Sequence, residues 1–288
     1  MAKKEHIVSG VAKESHDFLA RRVEKVKKQI SSFLNINPFM MRALQELHSF
    51  KDIKSMSEFL FISHLASGHA TSFGKMVDEK LLPNVFNTIK LTARVRRDQS
   101  FEASAFDDID HLVKRTEGEY LLSLKASAWT IQHAQAMQLY HNFKAIGDFR
   151  LYGKGIVVGV FYGNAEALTN KYSILRGINP RHQDEFVQLK YVSVKAGKEF
   201  WSWLNNDEEE TQDWVLEGII KGANDYYNNN PLSKQFVLDG PSKLAKELSE
   251  KYNIPEKGFI DWFYLMHAIN DDNLLENEEE QTGLNFER

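Results

Sequence analysis

The stretch Gly155-Ile156-Val157-Val158-Gly159-Val160-Phe161-Tyr162 constrains the fold of this chain more than any other. It carries no charge, is far too short to span a bilayer, and lacks the polar alternation of a half-exposed strand. It predicts a strand buried on both faces, and such a strand needs helices above and below it, as in an α/β sheet. Upstream, Ile109, His111 and Val113, then Tyr120, Leu122 and Leu124, alternate with the residues between them, and Thr116-Glu117-Gly118 supplies a turn. This is the pattern of a hairpin. Trp129 to Ile146 returns to helical spacing, so the centre of the chain reads strand, strand, helix, strand. Tyr172 to Ile178 and Val187 to Val194 are predicted as two further strands.

Helical patterns flank this centre. From Val11 to Leu34 the residues Leu19, Val23, Val26, Ile30 and Phe33 recur at helical spacing, and Asn37-Pro38 is read as the stop. Helices are predicted over Met40 to Leu47, over Met56 to Ala66 and, after a turn at Gly68, over Phe73 to Phe86. Downstream, Lys198 to Leu204, Glu208 to Tyr227 and Ser242 to Tyr252 are helical, and Asp271 to Arg288 is an acidic stretch with little to bury, expected as a frayed tail. The fold class is α/β: a mixed sheet built on the hairpin, helices on both faces, and a large helical N-terminal region. The expected divisions are residues 1–90 (helical), 91–222 (core), 223–270 (C-terminal helices) and 271–288 (tail).

The 288 residues contain no cysteine, which excludes disulfides, thiolate zinc sites and redox motifs. Neither a leader-like apolar segment at the N-terminus nor a run of roughly 18 to 20 apolar residues is present, so a cytoplasmic protein without a membrane partner is expected. The formal net charge of -4 argues against a protein that coats nucleic acid non-specifically. Basic clusters at Lys25, Lys27 and Lys28 and at Arg94, Arg96 and Arg97 still leave room for a local clamp.

Asp110 lies at one end of the predicted hairpin and Lys125 at the matching end of its second strand. A hairpin brings such ends together, so a carboxylate and an ammonium can meet at one edge of the sheet. The carboxylate can hold a hard divalent cation that neutralises a phosphate and lowers the pKa of a bound water, while the lysine orients or deprotonates that water. The plainer reading of such a pair is a solvated contact worth about 0 to 1 kcal/mol.

Asp110 followed by Ser123-Leu124-Lys125, a helix and a buried strand resembles the PD-(D/E)xK nuclease core, with Ile109 in place of the proline and Ser123 in place of the second acid. Longer blocks resemble one branch of the type II restriction endonucleases, which cuts palindromes of the RGGNCCY type: Asn35 to Met40, Ser67 to Phe86, Asp107 to His111, Leu121 to Gln132, Val157 to Asn164, Leu168 to Asn179 and Ala196 to Asn206. The resemblance spans most of Asn35 to Gly218. It implies a restriction-endonuclease-like core, a homodimer, Mg2+ dependence, cleavage of both strands of duplex DNA to leave 5'-phosphates, and a cognate DNA methyltransferase. By the same resemblance the backbone carbonyl of Leu124 is an additional metal ligand. A structure-specific or repair nuclease on this core, or a DNA-binding protein with a decayed site, are the alternatives.

With Ser123 unable to replace a carboxylate, the second acid is sought on the helix before the hairpin. A helical wheel places Glu79 on the apolar sector between Met76 and Phe86, so Glu79 is preferred and Asp78 is second choice. Gln132, one turn into the predicted helix after Lys125, is a candidate for water or phosphate, and His69 and Thr71 for phosphate contact from a loop around Gly68. Arg94, Arg96 and Arg97 are candidates for tracking a phosphate strand, and Arg176 and Asn179 have side chains suited to guanine and adenine edges. Trp201, Trp203 and Trp214 are expected in a core or an interface.

Overall fold

The computed structural model describes residues 2–29, 36–125, 131–148, 153–178 and 186–270. It opens with helices α1 (Lys4–Gln29), α2 (Pro38–His48) and α3 (Ile53–Met76), then a π-helical turn (Val77–Leu81), α4 (Leu82–Phe86), β1 (Ile89–Lys90) and α5 (Ala93–Asp98). The hairpin β2 (His111–Arg115) and β3 (Gly118–Lys125) follows, then α6 (His133–Asp148), β4 (Gly155–Val160), α7 (Lys171–Ile174), β5 (Val192–Ala196) and α8 (Lys198–Leu204). The long helices α9 (Thr211–Asn229) and α10 (Leu232–Tyr252) and the shorter α11 (Trp262–Asn270) complete the described chain. No described helix is long and apolar enough to cross a membrane.

Two compact units result, and they interleave the chain: a boundary falls within two residues of 222, but none falls at 90. One joins Met1–His16 to Gly74–Asn224; the other joins Asp17–Phe73 to Asp225–Arg288. The first unit contains a five-stranded mixed sheet in the order β1-β2-β3-β4-β5. Strands β1, β2 and β3 are antiparallel neighbours, whereas β4 runs parallel to β3 and to β5. The crossover from β3 to β4 passes through α6, as a parallel pair requires.

Every residue of β4 is buried, as its composition demands. Gly159 sits in that run because a Cβ there would stand 2.3 Å from the Phe200 ring of α8 and 3.1 Å from Leu122. The opposite face packs Leu112, Leu121, Ile156 and Val158 on α6 through Leu139 and Phe143. Trp201, Trp203 and Trp214 are buried; the Trp201 indole donates to the Phe161 carbonyl (2.8 Å), and the Arg115 guanidinium lies over Trp203.

The second unit is helical. Met41, Met56 and Phe61 meet Leu244, Leu248 and Leu265 in its core. Asn37-Pro38 begins a helix here: the Asn37 side chain accepts the Met40 N–H (3.0 Å) and Pro38 occupies the first turn of α2.

Three predictions need correction. Tyr172 to Ile178 is a short helix and a turn, α7, closed by Gly177 at φ 75. Its buried residues Tyr172, Ile174 and Leu175 fit a helical face as well as an alternating one over so short a span. Gly68 makes no turn, because α3 runs through it without a break. Of the strand predicted from Val187 to Val194, only its last three residues lie in β5, which continues to Ala196.

Candidate active site

The site forms where β1 and β2 meet the end of α3. Asp110 immediately precedes β2 and is held on three sides: its N–H donates to the Leu122 carbonyl (2.8 Å), its carbonyl accepts from Leu91 (2.9 Å), and its Oδ2 accepts the Leu124 N–H (2.7 Å). His111 pairs with Leu122, and Asp110, just before it, also bonds to Leu122 through its N–H; Lys125 ends β3 three residues further on. Lys125 is half-buried and forms no ion pair among the described residues. Ser123 is fully buried, and its Oγ has no hydrogen-bond partner among the described residues.

The second carboxylate comes from the π-helical turn. There the Leu82 N–H reaches the Val77 carbonyl, five residues back, instead of closing an α-helical turn. Val77, Leu81 and Leu82 are buried, Asp78 beside them is half-buried, and Glu79 is exposed to solvent. The acid that approaches Asp110 is therefore Asp78, not the preferred Glu79.

Lys90 joins the two acids. Its Nζ donates to both oxygens of Asp78 (2.7 Å each) and lies 3.4 Å from Asp110 Oδ1. His111, the cross-strand partner of Lys90, is fully buried. Its Nε2–H donates to Asp78 Oδ1 (2.7 Å), and its Nδ1 is bonded to Thr88 Oγ1 at 2.9 Å. Burial alone would push the Asp78 carboxyl up, but the hydrogen bonds from His111 and Lys90, and then their charges, hold it below its ordinary value. The result is an ordered chain, Thr88 to His111 to Asp78 to Lys90 to Asp110. Composition and periodicity gave no role to Lys90 or His111; the one available signal was a histidine at a strand position otherwise taken by apolar residues.

The other candidates are dispersed. His69 and Thr71 belong to the second unit, inside α3, where His69 Nδ1 accepts from Arg22 and the Thr71 hydroxyl bonds back to the Ser67 carbonyl. Neither is on a loop. Gln132 is exposed just before α6, its carbonyl accepting from Ala136 and its N–H donating to Gln135 Oε1. The three arginines do not alternate along an extended segment, because they sit on α5, capped by Thr92. Arg94 and Arg97 are exposed at i, i+3 spacing, whereas Arg96 is committed to Asp107 (2.9 Å) and the Leu91 carbonyl (3.2 Å). Arg176 is half-buried in the turn after α7, with its Nε buried and unpartnered among the described residues. Asn179 lies outside the described residues.

Among the described residues no group of three or more His, Asp or Glu converges as a metal cage. What the site offers is a smaller donor set, two carboxylates already sharing one cation, the Lys90 ammonium. That set fits Mg2+, which is held by one or two carboxylates with water and substrate phosphate completing its shell. No protein-family model matches the chain, and no curated protein matches it.

Proposed function

We propose that this protein is a Mg2+-dependent endonuclease that hydrolyses both strands of a palindromic duplex DNA site, in the manner of the type II restriction enzymes it resembles. The observation that carries this reading is the convergence of Asp110 and Asp78 on one cation at the edge of a mixed sheet, with Lys125 on the strand whose backbone N–H orients Asp110.

Asp110 and Asp78 would hold Mg2+, with the Leu124 carbonyl as the further ligand implied by the resemblance; when bound, the ion neutralises phosphate charge and acidifies water. Lys125 would position the attacking water and donate from Nζ to a phosphate oxygen. The Leu124 N–H and His111 fix the two carboxylates, so that no rearrangement is needed at the moment of reaction. Lys90 keeps two like charges together in the metal-free protein, and by doing so competes with the metal. A two-fold symmetric target is matched by a homodimer, and a cognate methyltransferase would protect the host DNA.

Digestion of unmethylated phage DNA with Mg2+ and with EDTA tests the proposal. Discrete fragments that require Mg2+ are expected, and intact DNA under both conditions overturns it. The second reading, a DNA-binding protein whose nuclease site has decayed, is favoured by Ser123 at the position of the second acid. Metal-independent retention of DNA without cleavage would select it.

A further inference from the structure

In the second unit, α1 lays Arg22 across α3 at Gly68. A Cβ on Gly68 would stand 2.9 Å from Arg22 Nη2, so the absent side chain is what admits the guanidinium. Nε donates to His69 Nδ1 (2.9 Å) and Nη1 to Ser72 Oγ (3.1 Å), both neutral acceptors. Arg22 is only 7% exposed. Among the described residues no carboxylate pairs with it, and Nη2 has no hydrogen-bond partner. Burial lowers the guanidinium pKa with no acid offsetting it; burial and then the Arg22 charge lower His69 and His64 as well. A buried cation with neutral partners alone is costly, and an anion relieves that cost.

Space for one adjoins it. A cavity of about 180 Å³ opens beside Arg22 and His69, and Leu19, Val23, Val26, Tyr227, Val237 and Leu238 form the rest of its wall. At roughly 30 Å³ per water, this volume corresponds to about six waters, a ligand of six to eight heavy atoms. That is below the roughly 300 Å³ at which drug-sized ligand pockets begin, and it excludes a nucleotide or a folded peptide. A wall that is mainly aliphatic gives a bare phosphate or sulfate few partners in exchange for the hydration it loses.

We infer that this cavity is a binding site for a small monocarboxylate with a short aliphatic tail, the carboxylate on Arg22 Nη2 and the tail against Val23 and Val26. The site stands in the second unit and does not depend on the nuclease reading. Hexanoate titrated calorimetrically into the full-length protein tests it, with acetate, hexan-1-ol and sulfate beside it. Saturable hexanoate binding is expected, at least about tenfold tighter than acetate, which lacks the tail, and hexan-1-ol, which lacks the charge. Arg22→Met should weaken hexanoate by a similar factor, as should Val23→Phe, which fills the cavity and leaves Arg22 in place. Absence of saturable binding at millimolar hexanoate, equal binding of sulfate, or unchanged affinity in Arg22→Met overturns the site.

Discussion

Asp78 and Glu79 are neighbours in sequence and opposite in circumstance. Asp78 accepts from a buried histidine and a lysine, while Glu79 faces water. Asp78→Ala and Asp110→Ala should therefore each abolish Mg2+-dependent cleavage, and Glu79→Ala should leave cleavage within about twofold of the parent and stability within about 0.5 kcal/mol; a plasmid-nicking assay and urea unfolding read both. Loss of activity in Glu79→Ala with Asp78→Ala active would reverse the assignment. Asp78 also makes a pH prediction. Its folded-state pKa lies below its ordinary 3.8, so folding favours the ionised form. The stability this contributes is complete above 3.8 and is lost as pH falls through the lower folded value. The difference in urea midpoint between the parent and Asp78→Asn should stay constant above about pH 5 and shrink below 3.8; a difference that grows on acidification would contradict the linkage. Helical spacing misplaced this acid for a physical reason. A wheel assumes one uniform period, and the π-helical turn at Val77–Leu81 breaks that period at the residues in question.

At the scale of elements, the strongest sequence signals are those that burial on two faces imposes. The uncharged run Gly155–Tyr162 could be satisfied only inside a sheet, although the strand ends at Val160 and Tyr162 beyond it is exposed, and the alternation around Thr116-Glu117 only as a hairpin, so β2, β3 and most of β4 were legible, as was α8. What was illegible depended on partners distant in sequence. Gly68 reads as a breaker until Arg22 is seen to occupy the space its side chain would need, and Tyr172 to Ile178 is too short to distinguish a period of two from one of 3.6. Likewise, Asp110 and Lys125 could be placed near one sheet edge from the hairpin alone, but Lys90 enters through a two-residue strand that no pattern announces. Gly159 tests the packing argument directly. Its missing Cβ leaves the space that the Phe200 ring fills, so Gly159→Ala should overpack the centre of the sheet and destabilise the protein by about 1–3 kcal/mol, despite the better strand propensity of alanine. An unchanged urea midpoint would mean that α8 is free to move away.

For the molecule as a whole, an excess of four negative charges means that any affinity for DNA must come from local basic elements acting against the overall field. The short helix α5 supplies two exposed guanidinium groups, Arg94 and Arg97, on one face, while Arg96 is spent on Asp107 and the Leu91 carbonyl. These roles separate in a salt titration. Each phosphate contact releases counterions from duplex DNA and contributes about -0.9 to the slope of log K against log salt. With Ca2+ in place of Mg2+ to permit binding without cleavage, the double variant Arg94→Ala/Arg97→Ala should flatten that slope by about 2 per protomer, weakening specific and non-specific duplexes alike. Arg96→Ala should leave the slope unchanged, because its ion pair and carbonyl contact are internal, and should appear as lost stability of about 1 kcal/mol. If the slopes of all three proteins coincide, α5 does not face the phosphates, and the electrostatic attraction must be sought in the lysines of α1, where Lys25 and Lys28 remain exposed.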